Sequence, residues 1–325
     1  MIKLKNESIN YITFFSNKLK IKDSIYYKQL YQYLSKYYTN DNKIGYKLEE
    51  KPSNINVNEN MFLSNNIKNH IYKLQRYHLL KFRINNNNVK ISIYHNDKNI
   101  DGFANIIVIY IKYMYLIGNY KKNIDITYYL TDCKKIMKNK ILTTDEVNTG
   151  STNMKTNKIE IWRKEEVYKT TIHELIHLMK LDDQHKNDLE SYYKNKYNCS
   201  SNHIIVNEAI TDFWAILINI FLMTKLLTHD YKFFLKLIHL EKIFIKYQAQ
   251  KILSLNHNYN KYTNVLSYYV IKAELFENLM KTLKIIEIEI NNYNKLYDYM
   301  KTLKPILPSI DSKDRTLKMT MIELI

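Results

Sequence analysis

The sequence predicts an α+β fold: a small mixed sheet with one edge strand and two helices that follow it, flanked by helical N- and C-terminal regions. Three observations predict it. Between residues 89 and 163, three short runs alternate apolar and polar side chains, the period of a half-buried strand. The last run leads directly into His173-Glu174-Leu175-Ile176-His177 on an apolar helical pattern. Thirty-one residues after His177 comes Glu208, within Asn207-Glu-Ala-Ile-Thr-Asp212, at the start of a second and strongly apolar helical pattern.

The elements follow in order. A helix is expected around Asp23–Tyr38, capped by Asp23 or Ser24. Tyr46–Glu59, with Pro52 and several Asn and Glu, reads as a linker, and a helical pattern follows around Phe62–Leu80. Val89, Ile91 and Ile93 alternate with Lys90, Ser92 and Tyr94, as in a strand. Phe103–Ile117 is a buried helix closed by Gly118-Asn119. Ile124, Ile126, Tyr128 and Leu130 form the next strand. Glu146–Asn153 reads as an irregular edge strand, and Ile159, Ile161 and Arg163 as one more short strand. Beyond residue 225, helices are expected near Tyr231–Lys251, Val265–Leu283 and Ile285–Leu303, and Pro305 and Pro308 end them.

Composition bounds the function classes. The chain has 325 residues, 46% of them hydrophobic, enough for a sizeable core; only four are glycine and three proline. The net charge of +17 would suit a polyanion-binding surface. The lysines are scattered rather than blocked, however, and 30 tyrosines beside abundant Lys, Asn and Ile match a bias toward AT-rich codons. Cys133 and Cys199 stand alone, without the spacing of a disulfide framework or a thiolate metal site, and read as thiols in a reducing compartment. The N-terminus lacks a continuous apolar stretch, so an intracellular protein without a secretory signal is expected. The most apolar runs, Ile106–Ile117 and Phe213–Met223, are too short to span a bilayer and read as buried helices. Nothing in the sequence sets an oligomeric state.

The chemistry sits on the two helices. Histidines four apart project from one helical face, so His173 and His177 can bind one metal ion. Ile172, Leu175, Ile176 and Met179 form the buried stripe beside them, and Glu165 and Glu166 occupy the expected first turn, favoured by the positive helix end. Glu174 is rotated about 100° from His173 and can face a water at the metal without binding the metal itself. Glu208 and Asp212 are again four apart, on a helix whose other positions are apolar. Such a carboxylate pair needs partners. Glu208 as third ligand, and Asp212 accepting the free ring N–H of His173, provide them. Two competitors for third ligand are Asp183 and His185. A glycine-turn pattern would select Asp183, but Lys180 occupies the glycine position and no glycine follows Gly150, so Glu208 is favoured. The set suits zinc, with a fourth position left for water.

These residues resemble the gluzincin, or thermolysin-like, zinc metallopeptidases, in which HExxH is followed by a glutamate within ExxxD on a second helix. The match holds at His173, Glu174, His177, Glu208 and Asp212, and the resemblance spans roughly residues 89–223. A large-DNA-virus branch of that group, in host cytoplasm or virion, would suit the codon bias. The resemblance implies a zincin-like core at 89–223, a mostly helical region at 1–88 and a helical subdomain at 224–325 that closes a cleft. It implies hydrolysis of peptide bonds by a zinc-activated water, with Glu174 as general base. Asn148, Thr149, Gly150 and Ser151 would form the substrate-binding edge strand. The connector from Leu178 to Asn207 is longer than in thermolysin, and no single transition-state donor is identified; Tyr268, Tyr269 and His203 are the candidates. Two other readings use the same residues. One is a basic, non-catalytic module for nucleic acid or an acidic partner with a structural zinc, which would have no use for Glu174. The other is a zinc hydrolase acting on a non-peptide bond.

Overall fold

The computed structural model describes residues 2–39, 45–55, 57, 60, 62–138, 141–182, 189–199, 204–255, 263–308 and 314–324. They form two compact units, one of residues 37–135 and 148–180, the other of residues 1–36, 136–147 and 181–325.

The first unit is built on a six-stranded sheet. Its strands are β1 (Lys47–Lys51), β2 (Arg76–Ile84), β3 (Asn87–His95), β4 (Ile124–Tyr129), β5 (Gly150–Asn153) and β6 (Lys158–Ile161), in the spatial order β1-β2-β3-β4-β6-β5. β1, β2 and β3 are antiparallel neighbours, β3, β4 and β6 run parallel, and β5 closes the sheet as an antiparallel edge. The alternation is the cause: Val89, Ile91, Ile93, Ile124, Ile126, Ile159 and Ile161 are all buried on one face. Two helices, Asp101–Ile117 and the histidine helix Val167–Leu178, pack together beside that sheet. A hydrogen bond between Tyr128 and Thr171 (2.9 Å) ties β4 to the histidine helix.

The strands expected at Val89–Ile93, Ile124–Leu130 and Ile159–Arg163 are β3, β4 and β6. The region before them differs from expectation. The helix expected over Phe62–Leu80 is only Asn65–Ile71, started by the Ser64 hydroxyl accepting from Ile67 N. The chain then enters β2, which turns back through Asn85, at φ 53°, into β3. The supposed linker carries β1, in register with β2. Leu63, Ile67, Ile71, Leu74, Tyr129 and Trp162 form a small buried cluster, so this helix has a core of its own.

The second unit is helical. Its centre is the glutamate helix, Asn207–Leu227, whose residues from Ala209 to Thr224 are all buried. This helix is long and apolar enough to cross a membrane by length and composition, longer than its apolar run suggested; 83% of its most apolar window is buried within the protein, as for a core helix. Ile25–Ser35 and Tyr231–Leu253 pack against it, and Asn6–Ser16 packs on Tyr231–Leu253. The helix expected at Val265–Leu283 is broken. It starts as a π-helix, Leu266–Ile271, continues as Lys272–Glu277, stops at Asn278 and resumes as Leu279–Ile285. The helix expected at Ile285–Leu303 is reduced to Leu296–Lys301, because Glu287, Ile288 and Asn291 adopt positive φ and turn the chain. After that, residues 317–324 are buried although they form no helix or strand longer than an isolated bridge.

Candidate metal centre

The histidine helix starts from a buried charged cluster. Glu165 and Glu166 precede the helix instead of occupying its first turn. Glu166 is its N-cap residue, at φ 58°, and its carboxylate takes an ion pair from Lys135 at 2.6 Å with both side chains buried. Glu165 accepts the Lys135 backbone N–H at 2.6 Å. Burial pushes the Lys135 ammonium below its ordinary pKa, and the Glu166 carboxylate opposes that shift. The expected helix-dipole role is replaced by Lys135, which holds Glu166 through its buried ammonium and Glu165 through its backbone N–H.

From that start, Ile172, Leu175 and Ile176 fill the core. His173 is buried, and His177, one turn on, is half-buried. Their Nε2 atoms stand 3.1 Å apart, with the rings at 81° to one another. Two imidazole nitrogens on one tetrahedral zinc, each at ~2.05 Å, stand roughly 3.3 Å apart. The pair is therefore set for one shared ion.

Glu208 lies in the first turn of the glutamate helix. One ligand atom from each of His173, His177 and Glu208 lies within 4.8 Å of the others. Asp182, which sequence reading missed, helps to hold the start of this helix. Its carbonyl accepts Asn207 Nδ2 and its carboxylate accepts Thr211 Oγ1, each at 3.1 Å. The competing ligands Asp183 and His185 fall outside the described residues, as does His203. Two imidazoles and a carboxylate are the donor set of a catalytic zinc site, which keeps a fourth position open, and they fit the metal in both type and spacing.

Asp212 is fully buried one turn beyond Glu208 and receives the Lys272 ammonium at 2.5 Å. Lys272 was not a candidate in the sequence; a lysine sixty residues away gives no local signal. Tyr269 is buried, and its hydroxyl donates to the Leu317 carbonyl at 2.5 Å. Tyr268 is half-buried in the π-helix. Its backbone N–H donates to the carbonyl of Asn264, whose side chain in turn accepts Ile205 N at 3.3 Å, at the approach to Glu208.

The edge strand is shorter than expected. Glu146 belongs to a helical turn, Thr144–Val147, because its carboxylate caps Thr143 N at 2.9 Å, a Thr-x-x-Glu box legible in the sequence. Asn148 is anchored through its carbonyl by Trp162 Nε1 (3.2 Å) and Arg163 Nε (3.1 Å), and Thr149 O accepts Trp162 N at 2.9 Å. Gly150 and Ser151 begin β5. A Cβ on Gly150 would stand 2.8 Å from Oε1 of Glu174, so only glycine lets the carboxylate lie there. Thr152, also missed, donates its hydroxyl to Oε2 of Glu174 at 2.7 Å.

No protein-family model, curated protein or solved structure matches the chain. The geometry carries the classification alone. His173-Glu174-x-x-His177 with the downstream Glu208, on a mixed sheet flanked by helices, matches the zinc-binding arrangement of the gluzincin metallopeptidases on a zincin-like α+β core.

Proposed function

We propose that the protein is a zinc metallopeptidase, with His173, His177 and Glu208 as metal ligands and Glu174 as the general base. The observation that carries this reading is the convergence of those three ligands, with a buried carboxylate between the two histidines in sequence. When bound, zinc supplies a Lewis acid that makes water acidic near neutral pH and polarises a carbonyl. The carboxylate of Glu174 takes the proton of the attacking water and passes it to the leaving nitrogen. A substrate strand adds to the open edge of β5, with its backbone paired to this strand. Tyr268 is the best-supported donor for the developing oxyanion. It lies, half-buried, in a π-helical segment, a feature frequent at functional sites, whereas Tyr269 is fully buried. Asp212, one turn along the same helical face as Glu208, is held by Lys272 and so fixes the second ligand helix.

The test is Glu174→Gln in a broad peptide-library screen. The variant is expected to keep zinc and lose hydrolysis; cleavage at the wild-type rate removes Glu174 from the mechanism.

One observation favours a second reading, contact with a polyanion. Lys47, Lys81 and Lys90 face one another directly across β1, β2 and β3, all exposed on the sheet face away from the histidine helix. Like charges in register repel; Glu49, paired with Lys47, and Asp125, opposite Lys90 on β4, offset part of that repulsion, and a bound polyanion would offset the rest. Salt-dependent binding to nucleic acid, lost in Lys81→Glu/Lys90→Glu and unaffected by Glu174→Gln, supports this reading. Equal binding by the charge-reversed variant excludes it.

A further inference from the structure

The edge strand does two things at once. In the antiparallel pairing of β5 with β6, Gly150 stands opposite Ile161 and Ser151 opposite Glu160. The bond from Trp162 N to Thr149 O makes Thr149 a hydrogen-bonded position, so Ser151 and Asn153 also turn their peptide groups toward β6. Gly150 and Thr152 therefore turn theirs to the open edge, where a substrate strand would pair. The side-chain direction alternates as well. Ser151 accepts from Asn60 on one face of the sheet, while Gly150 and Thr152 face Glu174 on the other. The Glu174 carboxylate thus lies along β5, with Oε1 over the Cα of Gly150 and Oε2 on the hydroxyl of Thr152. The same hydroxyl also lies 3.1 Å from the Glu174 backbone carbonyl; its single proton goes to the shorter contact.

We propose that Thr152 is a positioning residue for Glu174: its hydroxyl holds Oε2 and leaves Oε1 free for proton transfer, so the residue that pairs with the substrate backbone also aims the base. The inference rests on Glu174 being that base. A charged carboxylate that accepts one fixed hydroxyl proton loses rotational freedom without losing its charge. A substrate strand that pairs with Thr152 fixes the same residue from the other side, which ties occupancy of the edge to the aim of the carboxylate.

The experiment uses zinc-loaded protein and two substitutions. Thr152→Val removes the hydroxyl and keeps the shape; Thr152→Ser keeps the hydroxyl. Thr152→Val is expected to lower kcat on an extended peptide by about tenfold, with KM and zinc affinity changed by less than about twofold. Thr152→Ser is expected to stay within about twofold of wild type in kcat. Crystal structures of both variants supply a readout that does not depend on turnover. The Glu174 carboxylate leaves its place on β5 in the valine variant and keeps it in the serine variant. Wild-type kcat in Thr152→Val overturns the proposal. So does equal loss in both variants, or a raised KM at unchanged kcat. An unmoved Glu174 in the valine structure overturns it whatever the activity. If the wild type cleaves no peptide while Glu174 moves in the valine variant alone, the positioning role stands and the peptidase reading falls.

Discussion

Lys272 places its ammonium 2.5 Å from Oδ2 of Asp212, and neither side chain reaches solvent. The lysine also donates to the Met319 carbonyl at 3.3 Å and lies 5.9 Å from the ring centroid of Tyr269. Asp212 is one helical turn from the ligand Glu208, so this pair fixes the helix that delivers the third donor.

Removing one partner of such a pair leaves a buried charge uncompensated. Lys272→Met is expected to cost about 3–5 kcal/mol in denaturant unfolding and to weaken zinc binding. The double variant Lys272→Met/Asp212→Leu, with neither charge of the pair left, is expected to recover most of the folding loss. A double variant as unstable as the sum of the two single variants contradicts this account of the pair.

Gly150→Ala tests the cradle around Glu174. The added Cβ meets Oε1 at 2.8 Å, Thr170 Cγ2 at 3.0 Å and Glu174 Cγ at 3.1 Å. The carboxylate can swing aside, so the fold tolerates the change and the base loses its place. Peptide turnover is expected to fall by about tenfold or more while zinc content and melting temperature stay near wild type. Unchanged turnover contradicts the contact.

Glu241 supplies a pH dependence away from the metal. Burial pushes its carboxyl up to about 7, against the lowering effects of Thr320, the backbone N–H groups of Met321 and Ile322, and the charge of Lys272. Its Oε2 has no hydrogen-bond partner among the described residues. The folded state binds this proton more tightly than the unfolded state does. The resulting stabilisation is complete below an ordinary carboxyl pKa of about 4.3 and is lost as the pH rises through the folded value. Glu241→Gln cannot titrate, so it should gain on wild type by up to about 3 kcal/mol between pH 4.5 and pH 8. Unfolding of chelator-treated protein at the two pH values measures this. A wild-type-to-variant gap that does not change with pH contradicts it.

The parts legible in the sequence share a cause: their signals are local. β3, β4 and β6 show as alternation, and the histidine helix shows as a spacing of four within a buried stripe. Glu208 was legible because a carboxylate at the start of an apolar helix needs a partner. β2 was hidden because Arg76–Ile84 has no turn signal ahead of it and Leu79, Leu80 and Phe82 also fit a helix. The break at Asn278 depends on its amide reaching the Glu274 carbonyl, a competition with the helix that composition does not announce. Lys272, Asp182 and Thr152 were invisible for another reason. Each acts on a residue more than twenty positions away, and only the fold brings it there. The C-terminal segment follows the same rule: its backbone is satisfied by the side chains of Tyr269, Lys272 and Glu241 rather than by a repeating pattern of its own.

The central claim is that three side chains meet on one ion, and zinc-edge anomalous diffraction from crystals of zinc-loaded protein tests it most directly. The account predicts one strong peak within roughly 2.0–2.2 Å of His173 Nε2, His177 Nε2 and a Glu208 carboxylate oxygen. It also predicts that this peak is kept in Glu174→Gln and lost in Glu208→Ala. A peak bound to the histidines and to Asp183 in place of Glu208, or no peak at these histidines at all, contradicts it.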